Sequence, residues 1–103
     1  VEYFIDENND LLVNEIAPRV HNSGHLTINA YNISQFESHI RSVCNLEAIE
    51  PVMKSAAIMQ NIIGNDIFNY KNKEYKSNEF FFDYLKKEAK PKRKMGHLTT
   101  LKI

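Results

Sequence analysis

Two short apolar stretches separated by four turn-forming residues place the strongest constraint on how this chain can fold. "VEYFID" and "LLVNEI" have the length and the aromatic and β-branched content of strands. The intervening "ENND" contains Asn and Asp, which tolerate turn geometry. The sequence therefore predicts an antiparallel hairpin over residues 1–16.

The register of this hairpin decides which side chains meet across it. A turn centred on Asn8–Asn9 would place Glu2 opposite Glu15, with Phe4 opposite Val13 on the same face. Cross-strand partners have Cβ atoms about 4.5–5.5 Å apart, and like charges directly opposite each other are destabilising. A divalent cation between the two carboxylates would reverse that effect, and Mg²⁺ takes oxygen ligands together with water and substrate phosphates.

The alternative for this pair is a solvated sheet face on which water screens both glutamates. A change of register by one residue would separate them, so spacing alone leaves both interpretations open. The opposite face is predicted to pack on the core, and it carries Val1, Tyr3, Ile5, Leu12, Asn14 and Ile16.

The rest of the chain mixes helix and strand signals, which predicts an α+β fold. Ser34 and Glu37 form a capping box at the start of "SQFESHIRSVCN", whose apolar residues recur at helical spacing. We therefore expect a helix over residues 34–45, preceded by an irregular loop over residues 17–33. Three further strands are predicted in residues 55–64, 79–85 and 97–103.

Composition excludes several classes of protein. The formal net charge is zero, so no bulk field attracts the chain to nucleic acid or to a membrane surface. No apolar run reaches membrane-spanning length. The single cysteine, Cys44, rules out an internal disulfide and is typical of a reducing compartment. These features predict a cytoplasmic protein with no nucleic-acid or membrane partner.

The loop after Glu15 concentrates polar groups suited to anions. Arg19 offers a planar fork for a carboxylate or phosphate, and "HNSG" supplies backbone N–H groups that can converge on an anion. His21 and His25 have zinc-ligand spacing, but that motif needs a helix, which Asn-Ser-Gly disfavours. An ordinary polar connection is the alternative for the whole loop.

Four stretches of this sequence resemble one family. They are "VEYFIDENNDLLVNEIAPRVHNSGH", "SQFESHIRSV", "AAIMQNIIG" and "YLKKEAKPKRKMGHLT". In order and spacing they resemble the N5-carboxyaminoimidazole ribonucleotide synthetases, the ATPase subunits of phosphoribosylaminoimidazole carboxylase, within the ATP-grasp superfamily. The resemblance implies an enzyme of purine biosynthesis that uses ATP to convert bicarbonate to carboxyphosphate and then carboxylates 5-aminoimidazole ribonucleotide.

The same resemblance implies roles for the hairpin and its loop. Glu2 and Glu15 match the family's ligands for Mg²⁺ (or Mn²⁺) on the phosphates of ATP, the co-substrate. Arg19 would hold bicarbonate or carboxyphosphate, and His21 and Asn22 would line the junction between that intermediate and the aminoimidazole substrate.

The basic segment "KKEAKPKRK" gains a role in the same way. Arg93 and Lys94 match the family's contacts with the ribose 5′-phosphate, and Lys86 is a further candidate. The alternative is a solvated run of charge. The family commonly has glycine where Leu85 and Lys92 stand. Loss of the first glycine predicts a changed turn before the phosphate contacts, because a non-glycine residue resists positive φ, and Lys92 adds another cation beside those contacts. His97 follows on the next strand and is a candidate for orienting the phosphate site.

The resemblance also predicts how the chain is organised. Residues 1–45 would be the end of an ATP-grasp domain, and residues 46–103 a small, mostly β C-terminal domain. The complete enzyme, expected to be a homodimer, would add an N-terminal part that holds ATP, so we expect the chain alone to be inactive. The alternative is a non-catalytic remnant or dimerisation module of the same family.

Overall fold

The computed structural model describes residues 1–102 and shows a hairpin, a helical middle region and a three-stranded sheet. The last residue of the strand predicted over 97–103 lies outside the described residues. The α+β class is confirmed. In chain order the elements are β1 (Glu2–Ile5), β2 (Leu11–Glu15), α1 (Thr27–Ala30), α2 (Gln35–Val43), β3 (Ala57–Ile63), α3 (Ile67–Tyr70), β4 (Glu79–Asp83) and β5 (Lys94–Leu101).

The hairpin has the predicted Glu2–Glu15 pair but a different register elsewhere. Phe4 lies opposite Leu12, so the predicted pairing with Val13 is wrong. The turn is closed by a hydrogen bond of 3.0 Å from the Asp6 N–H to the Asp10 carbonyl, which moves its centre by half a residue. A bulge next to Glu2 then leaves an extra residue in β2 and restores the pair of glutamates.

The predicted core face of the hairpin is exposed in the described residues, so that prediction is wrong here. Exposure of its apolar side chains runs from 49% for Tyr3 to 73% for Ile16. Asn14, predicted on that face, instead donates a hydrogen bond of 2.6 Å from Nδ2 to the Glu2 carboxylate. An alternating pattern of apolar and polar residues gives a buried face only where another element packs on the apolar side. No element within the described residues covers the apolar face of this hairpin.

Local side-chain hydrogen bonds shape the region between β2 and α2. Ser34 caps α2 by accepting from the Glu37 N–H, as predicted, while the Glu37 carboxylate accepts from Arg41. The loop predicted over residues 17–33 is more ordered than expected. It contains a 3₁₀ turn at Asn22–Gly24 and the short helix α1, which polar contacts rather than apolar periodicity stabilise.

The sheet in the C-terminal part has the order β3-β5-β4, and both pairings are antiparallel. Its core contains Ile62, Ile67 and Met95. β5 is the central strand and begins at Lys94, three residues before the predicted start. Gly96 is needed there because a Cβ would lie 2.4 Å from the carbonyl oxygen of Phe82. β5 reaches back to Lys94 through its pairing with β3, in which Ile63 lies opposite Lys94.

Leu85 and Lys92 both adopt the left-handed backbone conformation, with φ of 54° and 61°. This conformation costs a non-glycine residue about 1–2 kcal/mol. We expect Leu85→Gly and Lys92→Gly each to stabilise the chain by about 0.5–1 kcal/mol, because the relief exceeds the entropy lost by glycine. Urea unfolding measures the change.

The matched controls are Leu85→Ala and Lys92→Ala, which shorten the same side chains but keep a Cβ. Equal stability of the alanine and glycine variants at either position would contradict the strain at that position.

Within residues 1–102, none of the helices has both the length and the apolar character needed to cross a membrane.

Candidate functional site

The hairpin and the loop after it bring two carboxylates and an imidazole together. Glu2, Glu15 and His21 each offer a ligand atom, and these atoms all lie within 4.8 Å of one another. His21 Nε2 is 2.6 Å from Glu15 Oε1, and His21 Nδ1 is 3.5 Å from Glu2 Oε2. The structure therefore places three of the predicted site residues in one cluster, with the imidazole between the carboxylates.

Gln35 holds this loop in place, and sequence reasoning missed it. Its Oε1 accepts from the His21 N–H at 2.8 Å, and its Nε2 donates to the His21 carbonyl at 2.7 Å. Nε2 is also 2.7 Å from His25 Nδ1. Gly24 lets Gln35 approach, because a Cβ at Gly24 would lie 2.5 Å from Gln35 Oε1. The sequence signal was a polar residue directly after a helix cap, which is too common to stand out.

Arg19 shares a cavity with this cluster. The cavity has a volume of about 190 Å³ and is lined by Glu2, Glu15, Arg19 and His21, among others. The Arg19 guanidinium donates to the Val20 carbonyl at 3.0 Å. One cavity thus combines ligands for a cation with a side chain suited to an anion.

The predicted phosphate residues form a second group around the start of β5. Lys94 Nζ donates to Asn22 Oδ1 at 3.1 Å, and Lys86 Nζ donates to the Lys94 carbonyl at 2.7 Å. Arg93 is placed differently, since its guanidinium is 3.4 Å from the Glu88 carbonyl within the basic segment. Asn22 is therefore linked to the predicted phosphate group and does not line the glutamate cavity.

Behind Asn22 and Lys94 lies a group of aromatic side chains. Tyr84 hydroxyl is 2.8 Å from His97 Nδ1, and the Phe82 ring stacks on His97 at 5.5 Å between centroids. His25 stacks on Phe36 of α2 with 5.3 Å between ring centroids. Together they line an apolar cavity of about 440 Å³. Burial raises the pKa of Tyr84 and lowers that of His25.

His97 makes the stability of the sheet depend on pH. It is 1% exposed, and burial, helped by nearby His25, lowers its pKa to about 4. A histidine in the unfolded chain titrates near pH 6.5. The unfolded chain therefore binds a proton that the folded chain excludes, and stability present above pH 6.5 is lost as pH falls.

We expect a loss of about 2 kcal/mol at pH 5 and about 3 kcal/mol at pH 4. Hydrogen exchange of the β5 amides, corrected for intrinsic rates, measures it. His97→Gln is expected to flatten the dependence, while His39→Gln, at an exposed position, should leave it unchanged. A wild-type profile that is flat between pH 7 and 4 would contradict the burial of a neutral His97.

Two family models match this chain. Residues 1–36 match the ATP-grasp domain, and residues 57–102 match the phosphoribosylaminoimidazole carboxylase C-terminal domain. The N5-carboxyaminoimidazole ribonucleotide synthase of Staphylococcus epidermidis is 43% identical over 103 residues, which cover 98% of this chain and 28% of that protein. The chain belongs to this synthase family. The Brucella melitensis synthase is 45% identical over 102 residues, again across 28% of its length.

Solved structures of the synthase family agree with this membership. The Staphylococcus aureus enzyme has a TM-score of 0.83 and 42% identity, and the match covers 97% of this chain and 28% of that one. The Aspergillus clavatus synthase in complex with ADP and 5-aminoimidazole ribonucleotide has a TM-score of 0.85 and 34% identity, covering 97% and 29%. The resemblance inferred from the four sequence stretches is confirmed. The chain spans somewhat more than a quarter of the length of these relatives.

Proposed function

We propose that this chain is the C-terminal portion of an ATP-dependent ligase that carboxylates 5-aminoimidazole ribonucleotide with bicarbonate in purine biosynthesis. The observation that carries the proposal is the meeting of Glu2, Glu15 and His21 in a cavity shared with Arg19. Relatives with that enzyme name match nearly the whole chain. A relative was solved with ATP, and another structure contains ADP and 5-aminoimidazole ribonucleotide.

In this proposal Glu2 and Glu15 hold Mg²⁺, or Mn²⁺, together with the phosphates of ATP. The donor set fits such an ion, because two carboxylates offer oxygen ligands within reach of one point. The bound ion supplies neutralisation of the charge that develops during phosphoryl transfer. In the structure the two facing carboxylates are partnered by His21 and Asn14.

The other predicted site residues bind bicarbonate and guide the transfer of its carbon to the ribonucleotide. The γ-phosphoryl group of ATP moves to bicarbonate, which gives carboxyphosphate and ADP. Arg19 binds bicarbonate and then carboxyphosphate through charge-assisted hydrogen bonds. The exocyclic amine of the ribonucleotide takes the carboxyl group, loses a proton and releases phosphate. His21 from the glutamate cavity and Asn22 from the proposed phosphate group would line the junction between carboxyphosphate and the aminoimidazole substrate and orient the two.

The ribonucleotide is held through its 5′-phosphate by Lys94, Lys86 and Arg93. Support comes from the proximity of Lys86 to the Lys94 backbone and of Lys94 to Asn22. A dianion suits ammonium and guanidinium groups together. For Arg93 to contact the phosphate, its guanidinium would exchange the 3.4 Å contact with the Glu88 carbonyl for the phosphate oxygens.

The organisation of the parent protein is part of the same proposal. Residues 1–45 complete an ATP-grasp domain, and residues 46–103 form the small C-terminal domain. This boundary is supported by the gap between the two family-model matches. Further sequence contributes the ATP-binding part, the complete enzyme is a homodimer, and it acts in the cytoplasm. The 103 residues alone are expected to be inactive.

The decisive experiment measures ADP release by the full-length parent with Mg²⁺. We expect release to require both bicarbonate and 5-aminoimidazole ribonucleotide, and ¹³C-bicarbonate to appear as a carbamate carbon in the product. The isolated chain of residues 1–103 is the control and should release no ADP. A full-length parent that binds neither substrate would instead favour the non-catalytic remnant or dimerisation module.

A further inference from the structure

We propose that Tyr84, backed by His97, is a positioning residue that orients Asn22 and two of the lysines around the proposed phosphate site. The inference rests on the proposed function for the identity of the substrate. Its structural part concerns a chain of hydrogen bonds from the buried sheet to the loop after β2.

The chain of contacts crosses from one family-model region to the other. His97 Nδ1 is 2.8 Å from the Tyr84 hydroxyl, and Asn22 Nδ2 is 3.5 Å from the same oxygen. Lys94 Nζ then donates to Asn22 Oδ1 at 3.1 Å. Asn22 lies within residues 1–36, whereas the other members lie within residues 57–102. These contacts therefore tie the loop to the sheet at the place where both contribute site residues.

Hydrogen-bonding capacity fixes the orientation of the Asn22 amide in this chain of contacts, and the proposal assigns the direction of the contact between Tyr84 and His97. An ammonium group can only donate, so Lys94 must face the carbonyl oxygen of the Asn22 amide. The amide nitrogen of Asn22 then donates to the Tyr84 oxygen. We assign the Tyr84 O–H as the donor to His97 Nδ1, a contact whose direction depends on the histidine tautomer, and this assignment places the ring proton of His97 on Nε2. Rotating the Asn22 amide would set its NH₂ group against the ammonium.

Tyr84 also contacts the second lysine through its ring. Lys86 Nζ lies 5.4 Å from the centre of the Tyr84 ring, within the range of a cation–π interaction. The Tyr84 ring in turn packs edge-to-face with His25, with 5.8 Å between ring centroids, and against Phe82, with 6.1 Å between centroids. One side chain thus orients Lys86 through its face and Lys94 through its hydroxyl and Asn22.

Holding the lysine side chains in place before the phosphate binds lowers the conformational entropy that is lost on binding. A lysine side chain loses about 1.5–2 kcal/mol of rotamer freedom when it is fixed, and part of that cost is met before the phosphate arrives. His97 is buried and remains neutral near neutral pH, because its pKa is about 4. It is therefore a constant acceptor for the Tyr84 hydroxyl across the physiological range.

The test uses Tyr84→Phe in the full-length parent, which removes the hydroxyl and keeps the ring over Lys86. The KM for 5-aminoimidazole ribonucleotide should rise about 10-fold, the effect of losing roughly 1.4 kcal/mol, while the KM for ATP changes by less than about twofold. Tyr75→Phe is the matched control, because it removes a hydroxyl that donates to the Tyr70 carbonyl at 2.6 Å, remote from the site. It should leave both constants unchanged.

A second readout does not depend on turnover. With ¹⁵N-labelled histidine and asparagine, the wild type should show His97 protonated on Nε2 and a single Asn22 amide environment. Tyr84→Phe should shift both signals, and Tyr75→Phe should shift neither. An Nδ1–H tautomer in the wild type, or an unchanged KM for the ribonucleotide in an active Tyr84→Phe enzyme, would overturn the proposal. If the parent shows no turnover at all, the proposed function fails while the NMR result still decides the positioning role.

Discussion

Replacing Glu15 with glutamine in the full-length parent is expected to lower ATP cleavage by about 10³-fold, because metal-assisted charge neutralisation is worth several kcal/mol in the transition state. Glutamine keeps the size of the side chain and an oxygen that can face His21 Nε2, now 2.6 Å from Glu15. The change therefore removes charge and leaves the packing of the hairpin intact.

The measurement combines ADP release with Mn²⁺ binding followed by electron paramagnetic resonance. Glu7→Gln is the matched control, since it makes the same change in the exposed turn of the same hairpin. We expect the control to retain wild-type activity and Mn²⁺ affinity. Wild-type turnover by the Glu15→Gln enzyme would remove this carboxylate from the mechanism, even though the family membership would stand.

Replacing Arg93 with alanine is expected to raise the KM for 5-aminoimidazole ribonucleotide by about 100-fold, the effect of losing roughly two charge-assisted hydrogen bonds. The kcat should fall by less than about threefold, because the phosphate is remote from the reacting amine and its binding is uniform between ground and transition states. The KM for ATP should not change.

Lys87→Ala is the control for this prediction, because it removes an exposed cation from the same segment. Steady-state kinetics with each substrate varied in turn distinguishes the two variants. Equal effects of Arg93→Ala and Lys87→Ala would show that the segment acts through its overall charge. That result would favour the solvated charge run over a specific phosphate contact.

The hairpin illustrates how a correct pairing can follow from a register that is partly wrong. The sequence predicted Glu2 opposite Glu15, and the structure has that pair. It also predicted Phe4 opposite Val13, which the turn hydrogen bonds and the bulge exclude. Bulges depend on tertiary and local hydrogen bonding rather than on alternation of side chains, so the pattern alone could not reveal this one.

The sequence likewise revealed some of the site residues and missed others. Short-range signals identified Glu15, Arg19 and His21, because a strand end followed by a polar loop concentrates them within a few positions. Gln35 and Tyr84 carried no such signal. Gln35 is 14 positions from His21, and Tyr84 is 62 positions from Asn22, so their roles exist only after the chain has folded.

The amino-acid sequence by itself determined the α+β class, the hairpin with its facing glutamates, the capped helix α2 and the family. Each of these follows from local propensity or from contiguous motifs. Tertiary structure decided that β5 extends back to Lys94 and that Tyr84 and His97 stand behind Asn22. Those outcomes depend on which distant segments pack together, and packing energy is distributed over contacts that no short stretch of sequence contains.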